Sequence, residues 1–203
     1  MKKTAAKIIK KKSAKIFVIS GPGGAGKTTL VNKIFQAGKI QEAFIKGITV
    51  TTRLQRPQEI DGRDYFFVSK EEFLRLRAKK FFLESQKVLD NYYGTPKLFY
   101  DLASVKKKDL VLCIDVKGGM YLKRNNKPDK IITLFIGAPT QQELYLRMGK
   151  RKEGEENIKR RIELAEKETK YVKLYDYAIT NKSIEKAAKQ VKEIMLKYAS
   201  RHA

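Results

Sequence analysis

One cysteine, Cys113, and one histidine, His202, are all that 203 residues contain of either type. A single thiol cannot close an internal disulfide, and one thiol with one distant imidazole makes no zinc site. No run of about 18 apolar residues occurs, so no membrane-spanning helix is expected. The N-terminal MKKTAAKIIKKKSAK is basic but lacks the apolar stretch of a secretory signal. Cys113 falls in the apolar run DLVLCID and reads as the buried thiol of a cytoplasmic protein rather than a nucleophile. Acidic residues are also scarce, 22 against 45 Lys and Arg, for a net charge of +23. That excess suits polyanionic partners: nucleic acid, an anionic surface or phosphorylated small molecules. No basic segment is interleaved with stacking aromatics, so the lysines read as solvated faces around a site for phosphorylated substrates. The length and the 42% apolar share fit one domain, or a compact core with small inserted lobes.

What is present alternates between two kinds of pattern. KIFVIS (15–20) is a short β-branched and aromatic run that ends at glycine, as a buried parallel strand does. From Gly26, Leu30, Ile34 and Ala37 fall on one helical face, and Gly38 predicts the stop. Ser69 with Glu72, and Thr140 with Glu143, have the spacing of capping boxes and open two further helices. DLVLCID (109–115) and KIITLFIGAP (130–139) predict buried strands. Ile158, Ile162 and Ala165 predict a helix entered from a charged loop. YAITN (177–181) predicts a last strand, and Ser183 a helix to about Tyr198. Strands alternating with helices predict an α/β domain with a mainly parallel sheet.

GPGGAGKT, Gly21 to Thr28, matches G-x-x-x-x-G-K-[ST] after one strand and at the start of one helix. Gly21, Pro22, Gly23, Gly24, Ala25 and Gly26 let backbone N–H groups turn inward onto phosphate oxygens. The helix N-terminus at Thr28 and Thr29 adds partial positive charge. Lys27 would bridge the outer phosphates, and the Thr28 hydroxyl would hold Mg²⁺. The motif predicts a nucleotide, not a reaction.

The stretch GITVTTRLQRPQEIDGRDYFF (47–67) narrows the reaction. Arg53 and Arg56 are forked, permanently charged donors suited to a second phosphate group, and Tyr65 adds a hydroxyl. A hydrolase needs one nucleotide; this cluster beside a phosphate loop predicts a second phosphorylated substrate.

GPGGAGKTT, TTRLQR, E..GRDYFFVS..EF, FLES, NYYGTP, IDVKG and NIKRRIELAEKE follow one another in the order and spacing of the guanylate kinase family, which the chain resembles from about residue 16 to 198. The resemblance implies a P-loop core (16–48, 96–146 and 172–203), a GMP-binding lobe (49–95), a lid (147–171) and a basic tail (1–15). It implies transfer of the γ-phosphoryl of MgATP to GMP or dGMP. Arg53, Arg56, Tyr65 and Tyr93 would hold the GMP phosphate. Glu84 would face the guanine, with Thr49, Gly94 and Thr95 beside it. Arg147, Arg151 and Arg161 would close over the transferring group with Lys27, and Asn181 would lie near the adenine. Asp115 would order Mg²⁺ through water or touch the guanosine. A carboxylate suits guanine, since it can accept from both N1–H and the exocyclic amine, whereas adenine leaves it partly unpaired.

The chain departs from the family pattern at Cys113, where an acid is usual, and at Gln55, Gln58, Gly23 and Lys117. None of these removes a phosphate ligand. The rival readings are a scaffold domain that binds proteins through a kinase-like fold, which the intact loop and Lys27 oppose, and a kinase acting on a phosphorylated ribose, which Glu84 and NYYGT oppose. The expected partners are ATP and GMP or dGMP, in a monomer or small homo-oligomer, with nucleic-acid contact by the basic tail as a separate expectation.

Overall fold

The computed structural model describes residues 14–149 and 155–200. In chain order, β1 (Ile16–Ser20) runs into the glycine loop and α1 (Lys27–Ile34) leaves it, followed by α2 (Gly38–Ala43) and β2 (Phe44–Lys46). Next come β3 (Val50–Thr51), β4 (Phe66–Phe67), α3 (Lys70–Ala78), β5 (Phe82–Val88) and β6 (Asn91–Pro96). After these lie α4 (Leu98–Val105), β7 (Asp109–Cys113), α5 (Val116–Asn125), β8 (Ile131–Gly137) and α6 (Gln141–Gly149). The chain ends with α7 (Glu155–Thr169), β9 (Tyr177–Thr180) and α8 (Ile184–Tyr198).

Among the described residues two sheets form. The larger is fully parallel, in the order β2-β7-β1-β8-β9. Every residue of β1 is buried, and its alternation divides the core. Phe17 and Ile19 join Leu30 and Ile34 of α1 and Val191 and Met195 of α8 on one face. Ile16 and Val18 join Ala103 of α4, Leu110 and Leu112 of β7 and Leu122 of α5 on the other. Helices thus cover both faces, which is what a parallel sheet with apolar strands requires. Strand order reverses at β1, so the crevice beyond its carboxyl end lies where ligands bind such sheets. Register places Ile19 level with Cys113 and Ser20 level with Phe135. The loop leaving Ser20 and the turn leaving Cys113 are therefore neighbours, and the Ser20 hydroxyl donates to the Asp115 carbonyl at 3.3 Å.

The smaller sheet has the order β4-β3-β6-β5 and packs on α3 around Phe73, Phe82 and Val50. Phe73 stacks on Phe82 with ring centroids 4.6 Å apart. A register irregularity between Phe82 and Glu84 re-aims the strand, and Glu84 then pairs with Thr95.

The structure refines several expectations. The predicted stop at Gly38 begins α2 instead: its Ile40 is fully buried, so burial holds a short helix where the glycine predicted an end. The predicted strand 109–115 ends at Cys113, because the Asp115 carboxylate caps α5 through the Gly118 N–H at 3.0 Å. Both predicted capping boxes are half formed. Ser69 accepts from Glu72 N–H and Thr140 from Glu143 N–H, both at 3.1 Å, but the two glutamates pair with Arg75 and Arg147. Within the segment read as a tail, Ala14 is buried and Lys15 donates to the Asp109 carboxylate at 2.8 Å and the Tyr198 carbonyl at 2.9 Å. Residues 1–13 lie outside the described residues.

Candidate active site

The phosphate loop is shaped by two glycines with no room for a side chain. Gly21 has φ 143°, and a Cβ there would stand 2.1 Å from the Ile136 carbonyl oxygen. Gly26 has φ 84°, and its Cβ would meet the Asn181 amide at 2.7 Å. These are backbone shapes that glycine adopts without strain. The Lys27 ammonium donates to the Gly21 and Pro22 carbonyls at 2.5 and 2.9 Å, folded back across its own loop.

Beyond the loop opens a cavity of about 220 Å³ that reaches from the larger sheet to the smaller one. Gly21, Gly23, Gly24, Gly26, Lys27, Thr28 and Thr29 line one end; Thr49, Arg53, Arg56, Tyr65, Glu84 and Tyr93 line the other. Asp115 and, from α7, Arg161 line the same cavity.

Each far-end group is held. Glu59 accepts Arg53 through both oxygens at 2.8 and 3.0 Å and the Arg56 N–H at 3.0 Å. The Arg53 guanidinium lies over the Tyr65 and Phe67 rings, 5.3 and 5.7 Å from their centroids. Burial works against ionisation of Glu59, yet the Arg53 and Arg56 bonds hold its carboxyl below the usual range. The Arg56 guanidinium also lies 3.6 Å from a Glu59 oxygen, so one carboxylate gathers both guanidinium groups at this end of the cavity.

Glu84 is 3% exposed. One oxygen accepts the Thr95 hydroxyl at 2.8 Å, while among the described residues the other, Oε2, has no hydrogen-bond partner. Gly118 faces it, and a Cβ there would stand 2.7 Å from Oε2. Burial, and then the Asp115 charge, push the Glu84 carboxyl up to about 8. A buried carboxylate oxygen without a partner is costly, and a ligand carrying N–H donors would satisfy it.

Other expected residues stand elsewhere. Pro22 and Ala25 lie on the loop behind the cavity wall; Pro22 lines a second hollow toward α6. Asn181 is buried, and its amide donates to the Ala25 carbonyl at 2.9 Å, bracing the loop from below. Arg147 pairs with Glu143 and donates to the Asn181 carbonyl at 3.3 Å, off the cavity wall. Gly94 packs against Phe82, where a Cβ would come within 2.8 Å of the ring. Arg151 lies outside the described residues. Cys113, expected as a buried thiol, forms part of the cavity wall and of a small hollow it shares with Lys46, and burial raises its thiol.

Sequence reasoning missed Glu168, Leu164 and the hairpin tip Val88, Leu89 and Asn91, all on the cavity wall. Glu168 is buried; burial lifts its carboxyl to about 7 against the pull of Lys27. Helical spacing would have found it, since 161, 164 and 168 make one stripe.

A doubly covered parallel sheet with a phosphate loop at its switch point, facing Arg53, Arg56 and Tyr65 across one cavity, defines a P-loop phosphotransferase of the nucleotide kinase class. A family model described as guanylate kinase matches residues 13–198. Guanylate kinase of Caldanaerobacter subterraneus is 38% identical over 187 residues, covering 92% of this chain and 88% of that protein. That of Mycoplasmoides gallisepticum is 36% identical over 192 residues, covering 94% and 96%. The crystal structure of guanylate kinase from Anaplasma phagocytophilum superposes with a TM-score of 0.75 at 29% identity, covering 94% of this chain and 88% of that one. The chain belongs to the guanylate kinase family, and its activity is phosphoryl transfer from ATP to GMP.

Proposed function

We propose that the cavity holds ATP and GMP end to end and that the γ-phosphoryl passes between them directly, in line, to GMP or dGMP. The observation that supports this best is one continuous space lined by the phosphate loop at one end and by the Arg53–Arg56 clamp and the unpartnered Glu84 oxygen at the other. In this reading the loop N–H groups and Lys27 take the ATP phosphates, with Lys27 exchanging its carbonyl partners for phosphate oxygens. Arg53, Arg56, Tyr65 and Tyr93 take the GMP phosphate. Glu84 accepts from guanine N1–H and the exocyclic amine, and Thr49 and Thr95 orient it. Arg161 faces the reacting phosphates. Asn181 keeps the loop in shape, with Arg147 behind it. The acceptor is already an oxyanion, so the protein supplies position and charge neutralisation rather than a base.

Among the described residues no group of three or more acidic, His or Cys side chains could hold a metal alone. Thr28 and Asp115 both line the cavity, a sparse pair of oxygen-bearing side chains that suits Mg²⁺, which keeps waters and takes substrate phosphates as ligands. Thr28 would bind it directly and Asp115 through water, and the ion would neutralise charge on the transferring phosphates.

We further infer that 49–95 acts as a GMP lobe and 147–171 as a lid, closing on the core to exclude water. No helix among the described residues is long and apolar enough to cross a membrane. The single unpaired thiol is the reason we favour the cytoplasm.

A bridged inhibitor tests the arrangement. Adenosine and guanosine joined through five phosphates should bind at least a hundredfold more tightly than GMP, and Lys27→Ala and Glu84→Gln should each weaken it. Affinity no better than that of ATP, and indifferent to Glu84→Gln, would refute the end-to-end reading.

A further inference from the structure

The β5–β6 hairpin carries the guanine-facing Glu84 on one strand and Thr95 on the other. Its tip, the two-residue turn Leu89–Asp90, reaches α7. There Arg160 grips Asp90 through both forks, Nη1 to Oδ2 at 2.7 Å and Nη2 to Oδ1 at 3.1 Å. This ion pair joins segments 70 residues apart in sequence. Beneath it, Val88 and Leu89 of the hairpin and Arg161 and Leu164 of α7 line the same cavity. Leu89 sits at φ 53°, a left-handed conformation that leucine keeps only where its surroundings hold it. Arg160 immediately precedes Arg161 within one helix, so anchoring the first restrains the helix turn that carries the second.

We propose that Asp90 is a positioning residue for phosphoryl transfer. By gripping Arg160, it ties the hairpin that reads guanine to the helix that carries Arg161, and so sets Arg161 over the reacting phosphates. This rests on the role given to Arg161 above. Asp90 acts through Arg160 and touches no substrate. The pair is exposed, with Lys87 beside Asp90 and Glu156 and Glu163 beside Arg160, so its contribution is modest and falls with salt. Exposed pairs of good geometry correspond to at most about fivefold in an equilibrium or a rate.

Steady-state kinetics of Asp90→Asn, Arg160→Gln, their combination and the reversed pair (Asp90→Arg with Arg160→Asp) test it at low ionic strength. Each single variant should lower kcat about threefold to fivefold, with KM for GMP within twofold. The combination should lose little more than either alone, and the reversed pair should recover at least half of kcat. A merely structural contact would not be rescued by reversal with KM unmoved. Single variants with kcat within 1.5-fold of the parent, or a reversed pair no better than the singles, would overturn the proposal. Arg161→Ala separates the two readings. A large loss of kcat there with Asp90→Asn unaffected removes only the positioning role, whereas an unchanged kcat removes the role of Arg161 and this inference with it.

Discussion

Replacing Glu84 by glutamine keeps the shape of the end of the cavity proposed for guanine while removing its charge. In the free protein the carboxyl titrates near 8, chiefly because it is buried, so at pH 7 it is mostly protonated. A protonated carboxyl cannot accept from both N1–H and the exocyclic amine, so GMP must expel that proton as it binds. Near pH 7 this costs about 1.4 kcal/mol, and near pH 8 about 0.4 kcal/mol. Glutamine can donate its amide to Thr95 and still accept one guanine N–H. It loses the charge and the second bond, about 3 kcal/mol together. Because glutamine has no proton to expel, the net loss in GMP affinity is about 15-fold at pH 7 and about 80-fold at pH 8. Titration calorimetry in buffers of different ionisation enthalpy reads both quantities. The parent should release close to one proton per GMP at pH 7, and the variant none from this site. Equal proton release in parent and variant, or an affinity loss that does not grow with pH, would refute the assignment. The sign for folding is also fixed. A carboxyl raised in the folded state stabilises below its unfolded value, near 4.5, and loses that stabilisation as pH rises through about 8. Glu84→Gln should therefore flatten the decline in stability of the ligand-free protein over that window.

Gly118→Ala should improve α5 locally but drive a methyl to within 2.7 Å of Glu84 Oε2, so KM for GMP should rise at least tenfold with little change in Tm. Gly21→Ala should abolish ATP binding by equilibrium dialysis, since its Cβ has only 2.1 Å to the rigid Ile136 carbonyl. Asp176 accepts Thr133 N–H, the Thr133 hydroxyl and Lys123 at 2.7 to 2.8 Å, far from the cavity. Asp176→Ala should cost about 2 kcal/mol and lower Tm by about 4–8 °C, with KM for GMP unchanged. Burial opposes ionisation of Asp176, but Lys123 and Thr133 hold its carboxyl below the usual range. Its contribution should therefore be present at neutral pH and lost on acidification, as chemical denaturation at pH 7 and pH 3 would read.

Four strands of the larger sheet and the phosphate loop were legible because they rest on local chemistry: β-branched runs, glycines at fixed offsets and one lysine; the three-residue β2 was not, being too short to show a pattern. The grouping of Arg53, Arg56 and Tyr65 on one cavity was legible for the same reason, since they lie within one short stretch. The smaller sheet was not. β3 and β4 are two residues each, and β5 carries Glu84, Ser85, Gln86 and Lys87 in a row, so no alternation marks it. Its stability comes from Phe73, Phe82 and Tyr92 stacked across elements, which spacing does not reveal. The position of Asn181 was equally hidden, because only tertiary contact brings it under a loop 156 residues away. Glu168 lay in a charged run whose composition hid it; only its helical spacing from Arg161 and Leu164 marked the face that meets the cavity.

The measurement that bears most directly on the central claim is ADP formation from MgATP with GMP, dGMP, AMP, CMP and UMP offered separately, with Lys27→Ala as the blank. The account predicts turnover with GMP and dGMP alone, and none in the blank. Comparable turnover with AMP, or ATP consumption that does not depend on any acceptor, would contradict it.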